Sequence, residues 1–159
     1  MNILLADDNE EFIASFIDKY EEKYDITTVE NIPLMDEYLF DEPGIDEYKA
    51  ILLDLDIGLG DYSVDEWVEY CAEFKNSTLF LLNGTRSLYG WDYYNSVICK
   101  RDISKSKQAK FILFSGHVDA LRRQAPIDQI QSLGGRLVKK GALTSEEKWL
   151  RLIYELCWC

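Results

Sequence analysis

The chain has 159 residues, 47% of them apolar and 29% charged, with 29 acidic against 17 basic side chains and a formal net charge of −12. A chain of this size and balance reads as one domain, residues 1–159, with enough core to stand without disulfides or a structural metal. The acidic excess argues against nucleic-acid and anionic-lipid partners, and the apolar runs are too short to cross a bilayer.

Ile3-Leu4-Leu5-Ala6 is a continuous apolar run stopped by Asp7-Asp8-Asn9, the pattern of a strand buried on both faces and ending in an acidic loop. Phe12, Ile13, Phe16, Ile17 and Tyr20 then recur at helical spacing, with Glu10 and Glu11 at the positive end of the helix dipole. Ile26-Thr27-Thr28-Val29 is β-rich and predicts a second strand, and Asn31 with Pro33 opens a second helix carrying Leu34, Met35, Tyr38 and Leu39. Ala50-Ile51-Leu52-Leu53 predicts a third buried strand, stopped by Asp54. Phe111-Ile112-Leu113-Phe114, stopped by Ser115-Gly116, predicts a fourth, and Leu137-Val138, ended by Lys139-Lys140-Gly141, a short fifth. A last helix is predicted from a capping box at Thr144 and Glu147. Strands alternating with amphipathic helices indicate a doubly wound α/β domain with a five-stranded parallel sheet and helices on both faces.

Asp54 and Ser115 are 61 residues apart, too far for one crossover of roughly 30 residues. The surplus falls near residues 60–88 and reads as an insert. Within it Ser63 and Glu66 can cap a helix with Val64, Trp67, Val68, Cys71 and Phe74 on one face, and Leu79-Phe80-Leu81-Leu82 before Asn83-Gly84 reads as a strand entering a turn. Trp91 to Ile98 is then the crossover helix proper. The cysteines, Cys71, Cys99, Cys157 and Cys159, fit no paired C-x-x-C zinc pattern and read as unpaired thiols. With no basic leader ahead of Asp7, a cytoplasmic location is expected.

Ligands of open parallel sheets bind beyond the carboxyl ends of the strands. Asp7 and Asp8, Asp54, Ser115 and Lys139 all fall there. Two carboxylates about 5 Å apart repel by about 3 kcal/mol at an effective dielectric of 20, and a hard divalent cation offsets that repulsion. A hydroxyl and an ammonium beside such a cluster suit an incoming phosphoryl group, whose charge spreads over its oxygens.

The segments Ile3 to Asn9, Ile51 to Asp54, Phe111 to Gly116 and Leu137 to Lys139 resemble, in order and spacing, the signature segments of the receiver domain of two-component response regulators. The resemblance covers nearly the whole chain except the insert. It implies a flavodoxin-like fold and a phosphorelay role: Asp54 as phosphoacceptor, Mg²⁺ held by Asp7, Asp8, Asp54 and the backbone carbonyl of Asp56, Ser115 turning toward the phosphoryl group, and Lys139 pairing with it. It also implies a histidine kinase or phosphotransfer protein upstream and a protein target downstream. A homodimer is the further partner the sequence leaves open. The pattern departs at Gly58 and Lys140, where the family usually has proline, and at Arg136, where it has a switch aromatic. Asp56 and His117 occupy positions that tune phosphoryl lifetime in that family. Two other readings fit the residues. A receiver-like module that is never phosphorylated would dock a partner constitutively. A haloacid-dehalogenase-like phosphatase would use Asp54 and Asp56 as its Asp-x-Asp pair.

Overall fold

The computed structural model describes residues 1–73, 81–82, 86–141 and 151. Strand β1 (Asn2–Ala6) leads into helix α1 (Glu10–Tyr20), β2 (Asp25–Val29), α2 (Ile32–Phe40) and β3 (Ala50–Asp54). Then come α3 (Val64–Ala72), the short strands β4 (Leu81–Leu82) and β5 (Arg86–Ser87), and α4 (Tyr89–Asp92), which continues through Tyr93–Ile98. Helix α5 (Lys105–Gln108), β6 (Phe111–Ser115), α6 (Val118–Gln124), α7 (Ile127–Leu133) and β7 (Leu137–Lys139) follow, with single 3-10 turns at Ile45–Glu47 and Gly134–Arg136.

The sheet is parallel throughout, in the order β2-β1-β3-β6-β7. This is the doubly wound α/β architecture that the apolar runs predict, and it is consistent with the flavodoxin-like fold that the resemblance implies. Each run splits by alternation between the two faces. Ile3, Leu5, Ala50, Leu52, Ile112, Phe114 and Val138 pack with Phe16 and Tyr20 of α1. Leu4, Ala6, Ile51, Leu53, Phe111, Leu113 and Leu137 pack with Met35 and Leu39 of α2 and with the residues of the long crossover. Because both faces are covered, the inner strands β1, β3 and β6 carry no polar alternation, whereas edge strand β2 keeps polar, partly exposed residues.

The insert helix α3 starts where the sequence places it. Glu66 N–H donates to Ser63 Oγ at 3.2 Å and Ser63 N–H to Glu66 Oε2 at 2.7 Å, a reciprocal capping box. Of the residues expected to share its buried face, Trp67 and Cys71 are buried, whereas Val64 and Val68 are 54% and 43% exposed. The apolar stripe is therefore narrower than the spacing implied. Phe74 lies outside the described residues, as do Leu79, Phe80, Asn83 and Gly84; Leu81 and Leu82 pair antiparallel with Ser87 and Arg86 in a sheet separate from the main one. The helix predicted from Thr144 also lies outside the described residues. The segment after α4 winds wider than an α-helix, with Cys99 N–H reaching back five residues to Tyr94 O at 2.9 Å.

A polar knot joins α2 to the long crossover. Asp36 accepts from Tyr93 Oη at 2.7 Å and Tyr70 Oη at 3.1 Å and pairs with Arg101 at 3.3 Å; Arg101 also donates to Tyr70 Oη at 2.8 Å and lies 3.8 Å over the Phe40 ring. Burial and the charge of Asp36 push the Tyr93 phenol well above the ordinary tyrosine range. Since Tyr93 is fully buried, Asp36→Ala leaves its hydroxyl without that acceptor. The expected loss is about 1–3 kcal/mol, read as a lowered urea midpoint.

Candidate functional site

The site forms where β1, β3, β6 and β7 end. Asp7 follows β1 and keeps its backbone in the ladder, with its N–H on Val29 O at 3.0 Å. Asn9 N–H donates to Asp7 Oδ1 at 2.8 Å, and Asn9 Oδ1 accepts from Phe12 N–H at 3.0 Å, capping α1. The acidic loop thus both starts the helix and fixes one carboxylate. Asp7 is wholly buried, Asp54 is 2% exposed, and Asp8 stands at the exposed rim. Carboxylate oxygens of these three residues lie within 4.8 Å of one another.

Asp54 Oδ1 accepts from Asp56 N–H at 3.1 Å, so the loop after β3 turns back on its own strand end. Lys140 Nζ lies 2.7 Å from Asp7 Oδ2 and 3.0 Å from Asp54 Oδ2, bridging the two buried acids. Its amine also sits 4.6 Å from the Phe12 ring centre and 5.6 Å from that of Phe114, a mixed aromatic and anionic cage. Burial and the neighbouring charge of Asp7 push the Asp54 carboxyl up to about 7, against the pull of Lys140 and the Asp56 N–H. Burial disfavours the Lys140 ammonium, but its bonds to Asp7 and Asp54 outweigh that and hold its pKa above the ordinary lysine value.

The lysine expected in this pocket was Lys139, and the structure corrects that assignment. Lys139 Nζ pairs with Asp119 of α6 at 2.6 Å, and both side chains are more than half exposed. The reason is strand alternation. Leu137 and Lys139 point to the α2 face and its α6 neighbour, while Val138 and Lys140 share the α1 face with Phe114. The other residues expected at the site do gather at the strand ends. Ser115 is wholly buried and its Oγ donates to Asp56 Oδ2 at 2.9 Å, while His117 N–H donates to Ser115 Oγ at 2.9 Å. His117 Nε2 lies 3.7 Å from Asp56 Oδ2.

Among the described residues, the half-buried Arg136 is held by backbone carbonyls and one phenol. It donates to the carbonyls of Gln108 at 2.9 Å and Phe111 at 3.2 Å, and to Tyr94 Oη at 3.3 Å, which places it at the start of β6, the opposite end from the carboxylates. Gly58 contributes through its carbonyl, which accepts from Ile32 N–H at 3.1 Å; a Cβ at Gly58 would stand 3.2 Å from Asp8 Oδ2. Gly90 N–H donates to Leu55 O at 3.1 Å, and a Cβ there would collide with the Asp54 carbonyl and stand 2.9 Å from Leu55 Cα. Only glycine lets α4 lie this close to the strand end. Away from the site, burial pushes the Cys71 thiol up to about 12 and raises that of Cys99, so neither is an activated nucleophile.

Three carboxylates beyond two strand ends, two of them buried, are a set of hard oxygen donors that could hold a divalent cation. Compared with protein-family models, with curated proteins and with solved structures, the chain has no match in any of the three.

Proposed function

We propose that the chain is a receiver-type phosphoacceptor that takes a phosphoryl group onto Asp54 with the help of Mg²⁺. The observation that carries this reading is the joint placement of Asp7, Asp8 and Asp54 within 4.8 Å, with Lys140 bridging the two buried acids. Asp7, Asp8, Asp54 and the backbone carbonyl of Asp56 would hold the cation, whose contribution is to neutralise phosphoryl charge. A carboxylate oxygen of Asp54 attacks phosphorus and the donor's bridging P–O or P–N bond breaks; the bond's electron pair leaves with the donor as a carboxylate, or as an amine or imidazole protonated from solvent, and an acyl phosphate remains. Lys140, in place of Lys139, supplies the fixed positive charge for a phosphoryl oxygen. Counted from Lys140, the family's proline position falls on Gly141 and its aromatic position on Leu137, so Arg136 drops out of the comparison. A histidine kinase or phosphotransfer protein is the natural upstream donor, and a protein contact the natural output.

Incubation with Mg²⁺ and acetyl phosphate or phosphoramidate, followed by intact-mass measurement, tests this. The expected result is the mass of one phosphoryl group, absent after chelation and absent in Asp54→Asn. No adduct from any donor, including a cognate kinase, makes the chain a docking module of the same fold. Release of many equivalents of phosphate per chain makes it a phosphatase using Asp54 and Asp56.

A further inference from the structure

We infer that Asp56 is a positioning residue, a latch that pins the Ser115 hydroxyl until a group on Asp54 draws it away. The inference rests on the phosphoacceptor reading for its purpose, and on the contact between Asp56 and Ser115 for its existence. A serine hydroxyl has one proton. In Ser115 that proton is committed to Asp56 Oδ2 at 2.9 Å, while the lone pairs accept from His117 N–H at 2.9 Å. Ser115 is wholly buried and Asp56 half-buried, so the bond lies largely out of competition with water. Bonds to a charged acceptor are roughly twice as strong as neutral ones. For Ser115 to donate to a phosphoryl oxygen on Asp54, it must first leave the Asp56 carboxylate.

The contact ties a loop to a strand end: Asp56 belongs to the loop after β3, Ser115 is the last residue of β6, and His117 lies in the turn that follows. Asp56 N–H also holds Asp54 Oδ1 at 3.1 Å. One residue therefore grips the acceptor carboxylate through its backbone and the hydroxyl donor through its side chain. Breaking the Ser115 bond removes one tie between the end of β6 and the loop after β3, beside the approach of His117 Nε2 to Asp56 Oδ2 at 3.7 Å and the Leu55 N–H bond to Phe114 O at 2.9 Å, so the latch is a coupling element as well as a restraint.

The test compares wild type, Asp56→Ala and Asp56→Asn, each alone and with Ser115→Ala. Three-bond couplings in solution NMR, without metal or anion, are expected to report one Ser115 χ1 rotamer in wild type. Asp56→Asn, whose side-chain oxygen still accepts, is expected to keep it; Asp56→Ala is expected to show rotamer averaging. With Mg²⁺ and beryllium trifluoride as an inert stand-in for a phosphoryl group, Asp56→Ala is expected to bind about tenfold tighter than wild type. That gain should vanish in the Ser115→Ala background. An unmoved Ser115 rotamer in Asp56→Ala overturns the latch. So does a gain that survives in Ser115→Ala, because it then comes from removing the Asp56 charge alone. If no variant takes up beryllium trifluoride, the phosphoacceptor reading fails, and the rotamer comparison, which needs neither metal nor anion, still decides whether Asp56 holds Ser115.

Discussion

Lys140→Ala is expected to lower the stability of the metal-free protein by about 3–5 kcal/mol at alkaline pH, where it leaves two buried carboxylates facing each other with no cation between them, and by less at neutral pH, where Asp54 takes up a proton. Asp7 and Asp54 each lie within 3.0 Å of that amine, at 2.7 and 3.0 Å. Mg²⁺ is expected to recover a large part of the loss, since it delivers positive charge to the same oxygens. Lys139→Ala is the control. Its partner Asp119 and its own side chain are exposed, so its melting temperature should match wild type in metal-free buffer and in Mg²⁺ alike. Thermal denaturation of the two variants, with and without Mg²⁺, checks the assignment directly. Equal behaviour of the two would mean that the pocket does not depend on Lys140.

The second large effect concerns pH. The Asp54 carboxyl is pushed from 3.8 up to about 7 by burial first and by Asp7 second, so it holds its proton more tightly in the folded chain than in the unfolded one. Folding therefore takes up a proton across this range. The contribution of Asp54 is whole below about pH 4 and is lost as pH rises through about 7, at about 1.4 kcal/mol per pH unit. Between about pH 5 and about pH 8 the metal-free protein is expected to lose about 2–3 kcal/mol, read as a falling urea midpoint. Asp54→Asn, which cannot ionise, should flatten that slope and be the more stable protein at the alkaline end. Saturating Mg²⁺ should flatten it too, because it binds the ionised form. A slope that persists unchanged in Asp54→Asn would assign the titration to another group.

Much of this site was legible in the sequence because parallel strands buried on both faces are written as unbroken apolar runs. Whatever stops such a run sits at the carboxyl edge of the sheet. Asp7, Asp54 and Ser115 were found that way. The lysine was not, because two lysines adjoin and only the inter-strand register separates them. Asp54 lies opposite Phe114, and Phe114 opposite Val138, so the lysine on the Asp54 face is two residues beyond Val138. That register follows from packing across three strands, which no local pattern in Leu137-Val138-Lys139-Lys140 records. The start of α3 was legible because Ser63 and Glu66 form a local device. The exposure of Val64 and Val68 was not, since it depends on what the insert packs against. The wide turn at Tyr93–Ile98 also leaves no periodic trace, and neither does the carbonyl clamp of Arg136, which serves backbone atoms remote in sequence.

The loop after β3 is hemmed in on both sides. Gly90 brings a helix against the Asp54–Leu55 backbone, and Gly58 and Gly60 bring the loop against Asp8 and Asn31, where a Cβ at Gly60 would stand 2.9 Å from Asn31 Cγ. A loop wedged in this way has surrendered its conformational freedom during folding rather than at the moment of ligand capture. On the proposed phosphoacceptor reading, a group docking on Asp54 would meet a seat that is already set, and its affinity would not be diminished by the entropy of ordering that segment.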